Sequence, residues 1–268
     1  MQLFHREYGN DGPALIILHG LYGASDNWVS IARQLEKDYH IYLIDQRNHG
    51  QSPHSNVHDF ESMSKDLLEF LNKQGIDRAH LVGHSMGGKT AMRFALEHPK
   101  RINKLVVLDI APKSYASFSN YAQITNNHQL IINTMLNVQF EKVTSRQDID
   151  RQLEKNLPDD KLRQFLLKNV ERQKNGSYRW RLNLEVIKST LELVMDGFSM
   201  LNPETNRSTL PAIFIRGENS GYIIDEDSLI IRKFFKNAEL VSIPNAGHWL
   251  HAEQPELLIK TLAYFLLD

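Results

Sequence analysis

The chain has 268 residues, 41% hydrophobic and 24% charged, a balance near the globular average that excludes global disorder, collagen-like repeats and coiled coils. Thirty-one Lys and Arg against thirty-two Asp and Glu leave a net charge of −1. The basic excess that a phosphate backbone demands is missing, and nucleic acid is not an expected partner. No cysteine is present, which excludes disulfides, thiolate metal sites and a Cys nucleophile and suits a cytoplasmic location.

Met1 to Tyr8 alternates like a strand and lacks the cationic head and apolar stretch of a signal peptide. No apolar run approaches the roughly 18 residues that span a bilayer, so no membrane span is expected. Short β-rich runs then alternate with amphipathic helical stretches: strands at 14–18, 40–45, 78–83 and 104–109, helices at 26–38, 63–75 and 87–99. This alternation predicts a parallel sheet with crossover helices, and the continuous apolar strands predict cover on both faces. After Pro112 the Val/Ile runs stop, and residues 130–143, 160–173 and 184–198 read as polar, helical stretches. The β/α pattern resumes at 210–217, 228–237 and 238–243 and closes with a helix from Pro255 to Leu267. The expected architecture is one α/β core, discontinuous in sequence (1–111 and 209–268), carrying a helical insertion over 112–208.

Gly83-His84-Ser85-Met86-Gly87 is a G-x-S-x-G directly after a predicted strand and directly before a predicted helix. A sharp strand-to-helix turn there lifts a serine hydroxyl above the sheet, and the helix N-terminus favours developing negative charge. Upstream, His19-Gly20-Leu21-Tyr22-Gly23 ends the preceding strand at the same rim. Acyl transfer needs main-chain donors for a tetrahedral oxyanion, and the amides of Leu21 and Met86 are the candidates. Lys89 follows two glycines without the spacing of a phosphate loop, so no nucleotide cofactor is expected.

A serine nucleophile needs a base. His248, in Asn245-Ala246-Gly247-His248-Trp249, follows the last predicted strand and precedes the last helix, where an α/β site lies. His251 is the competitor. His19 reads as a buried turn histidine. His54 and His58 have metal-like spacing, but Pro53 suggests a loop and no third ligand is evident, so no metal is expected. Asp45 and Arg47 read as a structural pair bracing the turn at Asn48-His49-Gly50.

These features, together with the insertion, resemble the α/β-hydrolase superfamily along essentially the whole chain. More narrowly, Asp45 to Ser52 (DQRNHGQS), Gly83 to Lys89 (GHSMGGK), Leu108 to Pro112 (LDIAP) and Trp180-Arg181 with Asn183-Leu184 resemble the small bacterial YbfF-type esterases. The resemblance implies an α/β-hydrolase fold with a mostly parallel sheet, helices on both faces and a helical lid inserted after the strand ending at Asp109. It implies hydrolysis of a small-molecule ester or thioester, acyl-CoA among the candidates, through an acyl-serine. In many members of the superfamily the acid follows the strand after the lid, but Gly217-Glu218-Asn219-Ser220 places a serine there. The resemblance implies Asp109 instead, with Asp225 the alternative and a structural Asp109 a third reading. Residues 112–208 hold fourteen Lys and Arg against eleven Asp and Glu. Arg146, Arg151, Arg179 and Arg181 are therefore candidates to hold an anionic leaving group such as coenzyme A, a solvated helix face being the alternative. Carbon–carbon bond hydrolysis on the same triad and a non-catalytic ligand-binding protein remain rival functions.

Overall fold

In β2 (Ala14–Leu18), which follows β1 (His5–Tyr8), Leu15 and Ile17 join one core cluster and Ile16 and Leu18 the other, the period-two outcome of an extended backbone covered on both faces. The computed structural model describes residues 1–199 and 201–267. After β2 come α1 (Val29–Leu35), β3 (His40–Ile44), α2 (Phe60–Lys73), β4 (Ala79–His84), α3 (Met86–Glu97) and β5 (Ile102–Leu108). The chain then forms α4 (Ala122–Leu136), α5 (Arg146–Glu154), α6 (Asp160–Leu167), a hairpin of β6 (Val170–Arg172) and β7 (Tyr178–Trp180), α7 (Leu184–Ser189) and α8 (Leu191–Asp196). It returns through β8 (Ala212–Gly217), α9 (Asp227–Phe234), β9 (Ala238–Ile243), α10 (Leu250–Glu253) and α11 (Pro255–Leu267).

Among the described residues a seven-stranded sheet runs in the order β1-β3-β2-β4-β5-β8-β9. Every pairing is parallel except β1 with β3, so the alternating N-terminal segment serves as an antiparallel edge strand. Trp28, Ile31 and Leu35 share one cluster with Leu258, Leu262 and Leu266 of α11. On the other face the residues of α2, α3 and α9 form a cluster that continues into Ile132, Leu153, Ile187 and Val194 of the inserted segment. The insertion thus shares the core's interior. Among the described residues no helix is long and apolar enough to cross a membrane.

Local chemistry moves several boundaries. Asp59 caps α2, its carboxylate accepting the Ser62 amide at 2.7 Å, so the helix starts three residues before its expected beginning. The helix expected over 160–173 stops at Leu167, and β6 and β7 follow, joined at Asn175-Gly176 with Gly176 at φ 87°. Asn-Gly is a hairpin signal that the polar composition of the segment conceals. The helix expected over 184–198 breaks between α7 and α8 at Thr190, whose hydroxyl donates to Val186 O at 2.7 Å, the back-bonding that bends helices.

Candidate active site

Ser85 joins β4 to α3 at φ 52° and ψ −117°, a left-handed conformation that a non-glycine residue holds only against strain. The surrounding glycines make the turn possible by close approach. A Cβ on Gly83 would lie 2.3 Å from Gly87 O, and one on Gly87 would lie 2.4 Å from Leu18 O. Met86 opens α3, where an amide has no intrahelical acceptor, and Leu21 lies in the turn after β2. Among the described residues neither amide donates to a protein group, and both residues border Ser85.

Asp109 follows β5 at φ 50° and is fully buried. Its Oδ1 accepts the Gly217 amide at 3.1 Å, and its Oδ2 accepts His248 Nδ1–H at 2.7 Å and the hydroxyl of Ser220. His248 thereby has its Nδ1 occupied. The His248 main-chain carbonyl accepts from His84 Nε2 at 2.8 Å, and its ring stacks on Tyr222 with centroids 3.8 Å apart and planes 14° from parallel. Tyr222 is held at both ends: Tyr115 donates its hydroxyl to Tyr222 O at 2.6 Å, and the phenol lies 3.0 Å from His128 Nε2. Burial pushes His128 down to about 3 and keeps it neutral.

Ser85 and His248 line one cavity of about 350 Å³, whose walls include Ile131, Leu162, Phe165 and Trp249. A second, much smaller cavity of about 10 Å³ touches Ser85 from the side of Met86 and Lys89. Lys89 is buried, donating to Met195 O at 2.7 Å and Asp196 O at 3.0 Å, and burial pushes its ammonium down to about 7.

A family model for the alpha/beta hydrolase fold matches residues 13–255. The chain belongs to the α/β-hydrolase family. This hydrolase is 38% identical over 259 residues to the sn-1-specific diacylglycerol lipase ABHD11 of Danio rerio, covering 96% of this chain and 79% of that protein. It is 34% identical over 261 residues to the esterase YbfF of Escherichia coli, covering 97% and 94%. A solved marine microorganism esterase superposes with a TM-score of 0.93 at 44% identity, covering 98% of this chain and 99% of that one.

Other residues singled out in the hydrolase sequence lie elsewhere. None of the four arginines lines the cavity at Ser85. Arg146 donates to Val170 O, Arg151 to Asp148 and Arg179 to Glu171, while the Arg181 amide and carbonyl bond Asn169 and His54. The guanidinium groups of Arg146, Arg151 and Arg179 thus bond partners within the insertion. Asp225 pairs with Arg216 at 2.5 Å and is 85% exposed, away from His248. His251 stacks on Trp28. His19 is fully engaged, facing Gly20 O at 2.8 Å and accepting the Gln46 amide at 3.0 Å. Asp45 braces the turn by accepting the Ser25 and Gln51 amides, but the partner of Arg47 is Asp66, at 2.7 and 2.9 Å, not Asp45. His54 reaches the Arg181 carbonyl and His58 is buried beside His49, and among the described residues no group of three potential ligands could hold a metal.

Sequence reasoning missed Ser220, Tyr222, His84 and His128. Ser220 alone had a signal, since the resemblance directs the search for an acid to the segment after the strand that follows the insertion.

Proposed function

We propose that this hydrolase is a serine-dependent carboxylesterase working through an acyl-serine. The observation carrying the reading is the 2.7 Å contact of His248 Nδ1 with buried Asp109, on the rim where the strained Ser85 turn opens into an apolar cavity. Ser85 Oγ attacks the ester carbonyl while His248 Nε2 takes its proton. The carbonyl oxygen, now negative, is held by the amides of Leu21 and Met86. His248 returns the proton to the departing alcohol, Asp109 holds the imidazolium, and water repeats the cycle to release the acid. The segment 112–208 acts as a lid by supplying walls such as Ile131, Leu162 and Phe165.

Uncharged esters suit the cavity better than acyl-CoA, because among the described residues no Lys or Arg lines it. The names of the relatives, an esterase and a lipase, support the same class. The test is labelling with a fluorophosphonate and mapping of the adduct, alongside turnover of aryl esters. An adduct on Ser85, lost with turnover in Ser85→Ala, is expected. Undiminished hydrolysis in Ser85→Ala would overturn the reading.

A further inference from the structure

The two cavities that meet at Ser85 differ in size by more than an order of magnitude, and His248 lines only the larger. That asymmetry has a chemical meaning. The leaving alcohol must collect its proton from His248, so it departs on the side where the imidazole is exposed. The acyl group takes another direction from the carbonyl carbon, past the oxyanion donors. The small cavity is lined by both proposed donors, Leu21 and Met86, and is closed by Ile110, Tyr115, Val194 and Met195.

Resting on the serine-esterase reading, we propose that the small cavity receives the acyl group and the large one the alcohol, so that the preferred substrates are short-acyl esters of bulky apolar alcohols. A volume of about 10 Å³ holds one water-sized sphere, which suits the methyl of an acetyl group and excludes a long chain. Its far wall is braced, because the bonds from Lys89 to the carbonyls of Met195 and Asp196 tie the end of α8 to α3. Phe118, Leu130 and Leu193 do stand exposed on the insertion, as a lipid-facing surface would require. The space beside Ser85 nevertheless selects on the acyl side against a long chain.

The experiment compares kcat/KM for naphthyl acetate, butyrate and octanoate and for ethyl acetate and ethyl octanoate, in the wild type and in Met195→Ala, Val194→Ala and Ile131→Trp. An unfavourable methylene costs about tenfold or more, so acetate should exceed octanoate by at least about a hundredfold. Either alanine variant should narrow that ratio about tenfold or more by lengthening the small cavity. Ile131→Trp, which fills the large cavity, should depress naphthyl acetate more than ethyl acetate. Octanoate turned over as well as acetate, or Ile131→Trp selectively depressing ethyl octanoate, would place the acyl chain in the large cavity and overturn the assignment alone. Failure to hydrolyse any of these esters, or full activity in Ser85→Ala, would overturn the esterase reading and this assignment with it.

Discussion

Ser220 donates its hydroxyl to Oδ2 of Asp109, the carboxylate oxygen that also accepts from His248 Nδ1. Ser220, in the segment after β8, is thus a donor to a carboxylate that arrives from β5. One strand end supplies the charge and its neighbour orients it.

Asp109→Asn should keep the fold, since the side chains are nearly isosteric, and lower kcat by up to about 10⁴ through the wrong imidazole tautomer. Asp225→Asn removes only an exposed partner of Arg216 and should change kcat less than about twofold. Steady-state kinetics with melting temperatures for both variants checks this. The reverse pattern would move the acid to Asp225.

The strain at Ser85 gives a second prediction, free of substrate. Ser85→Ala retains a side chain at φ 52°, whereas Ser85→Gly relieves it, so the glycine variant should be more stable than the alanine variant by about 1–2 kcal/mol. Denaturant unfolding of the two variants measures the difference. Equal stabilities would mean that the turn is not strained.

Close approach around the same turn predicts the effect of a single methyl group. Gly83→Ala would bring a Cβ to 2.3 Å from the Gly87 carbonyl, contact with backbone that cannot step aside, and should cost about 3 kcal/mol or more. Gly221→Ala meets nothing within 4 Å and should stay within about 0.5 kcal/mol of wild type. Paired urea titrations provide the comparison.

Buried histidines predict acid sensitivity. Burial pushes His58, His128 and His251 down to about 3 and His80 to about 4, and it also lowers His19, His49 and His84. A folded value below the ordinary 6.5 means that the unfolded chain binds protons which the folded chain refuses, so stability declines as pH falls below about 6.5 and continues down towards 3. Among the described residues neither ring nitrogen of His58 has a partner. His58→Leu should therefore reduce the slope of unfolding free energy against pH by about one proton between pH 6 and 4. Urea titrations at stepped pH test this, and an unchanged slope would show that His58 takes up a proton in the folded state.

The fold was legible where geometry imposes residue types. The glycines at 83 and 87 are required by a turn that passes within contact of other backbone, and the apolar runs at 14–18 and 104–109 are required by burial on both faces. The position of His248 after β9 followed from the same regularity. What escaped was set by packing between distant segments. No spacing announces that Tyr222 stacks on His248, that His128 on α4 reaches that phenol, or that Arg179 spends its charge on Glu171 across the β6-β7 hairpin. Composition reports that the insertion is basic. It carries no record of which way each arginine turns.

The insertion is also the connection from β5 to β8, so Val106 pairs with Ile213 only after about a hundred intervening residues have been made. During synthesis the first five strands and the Ser85 turn can assemble while β8, β9 and His248 are still unmade. Closing so long a loop is slow, because its entropic cost precedes the contacts that reward it. A nascent chain therefore carries Ser85 well before His248. The contact of His248 with Asp109 forms late, when the last strands dock.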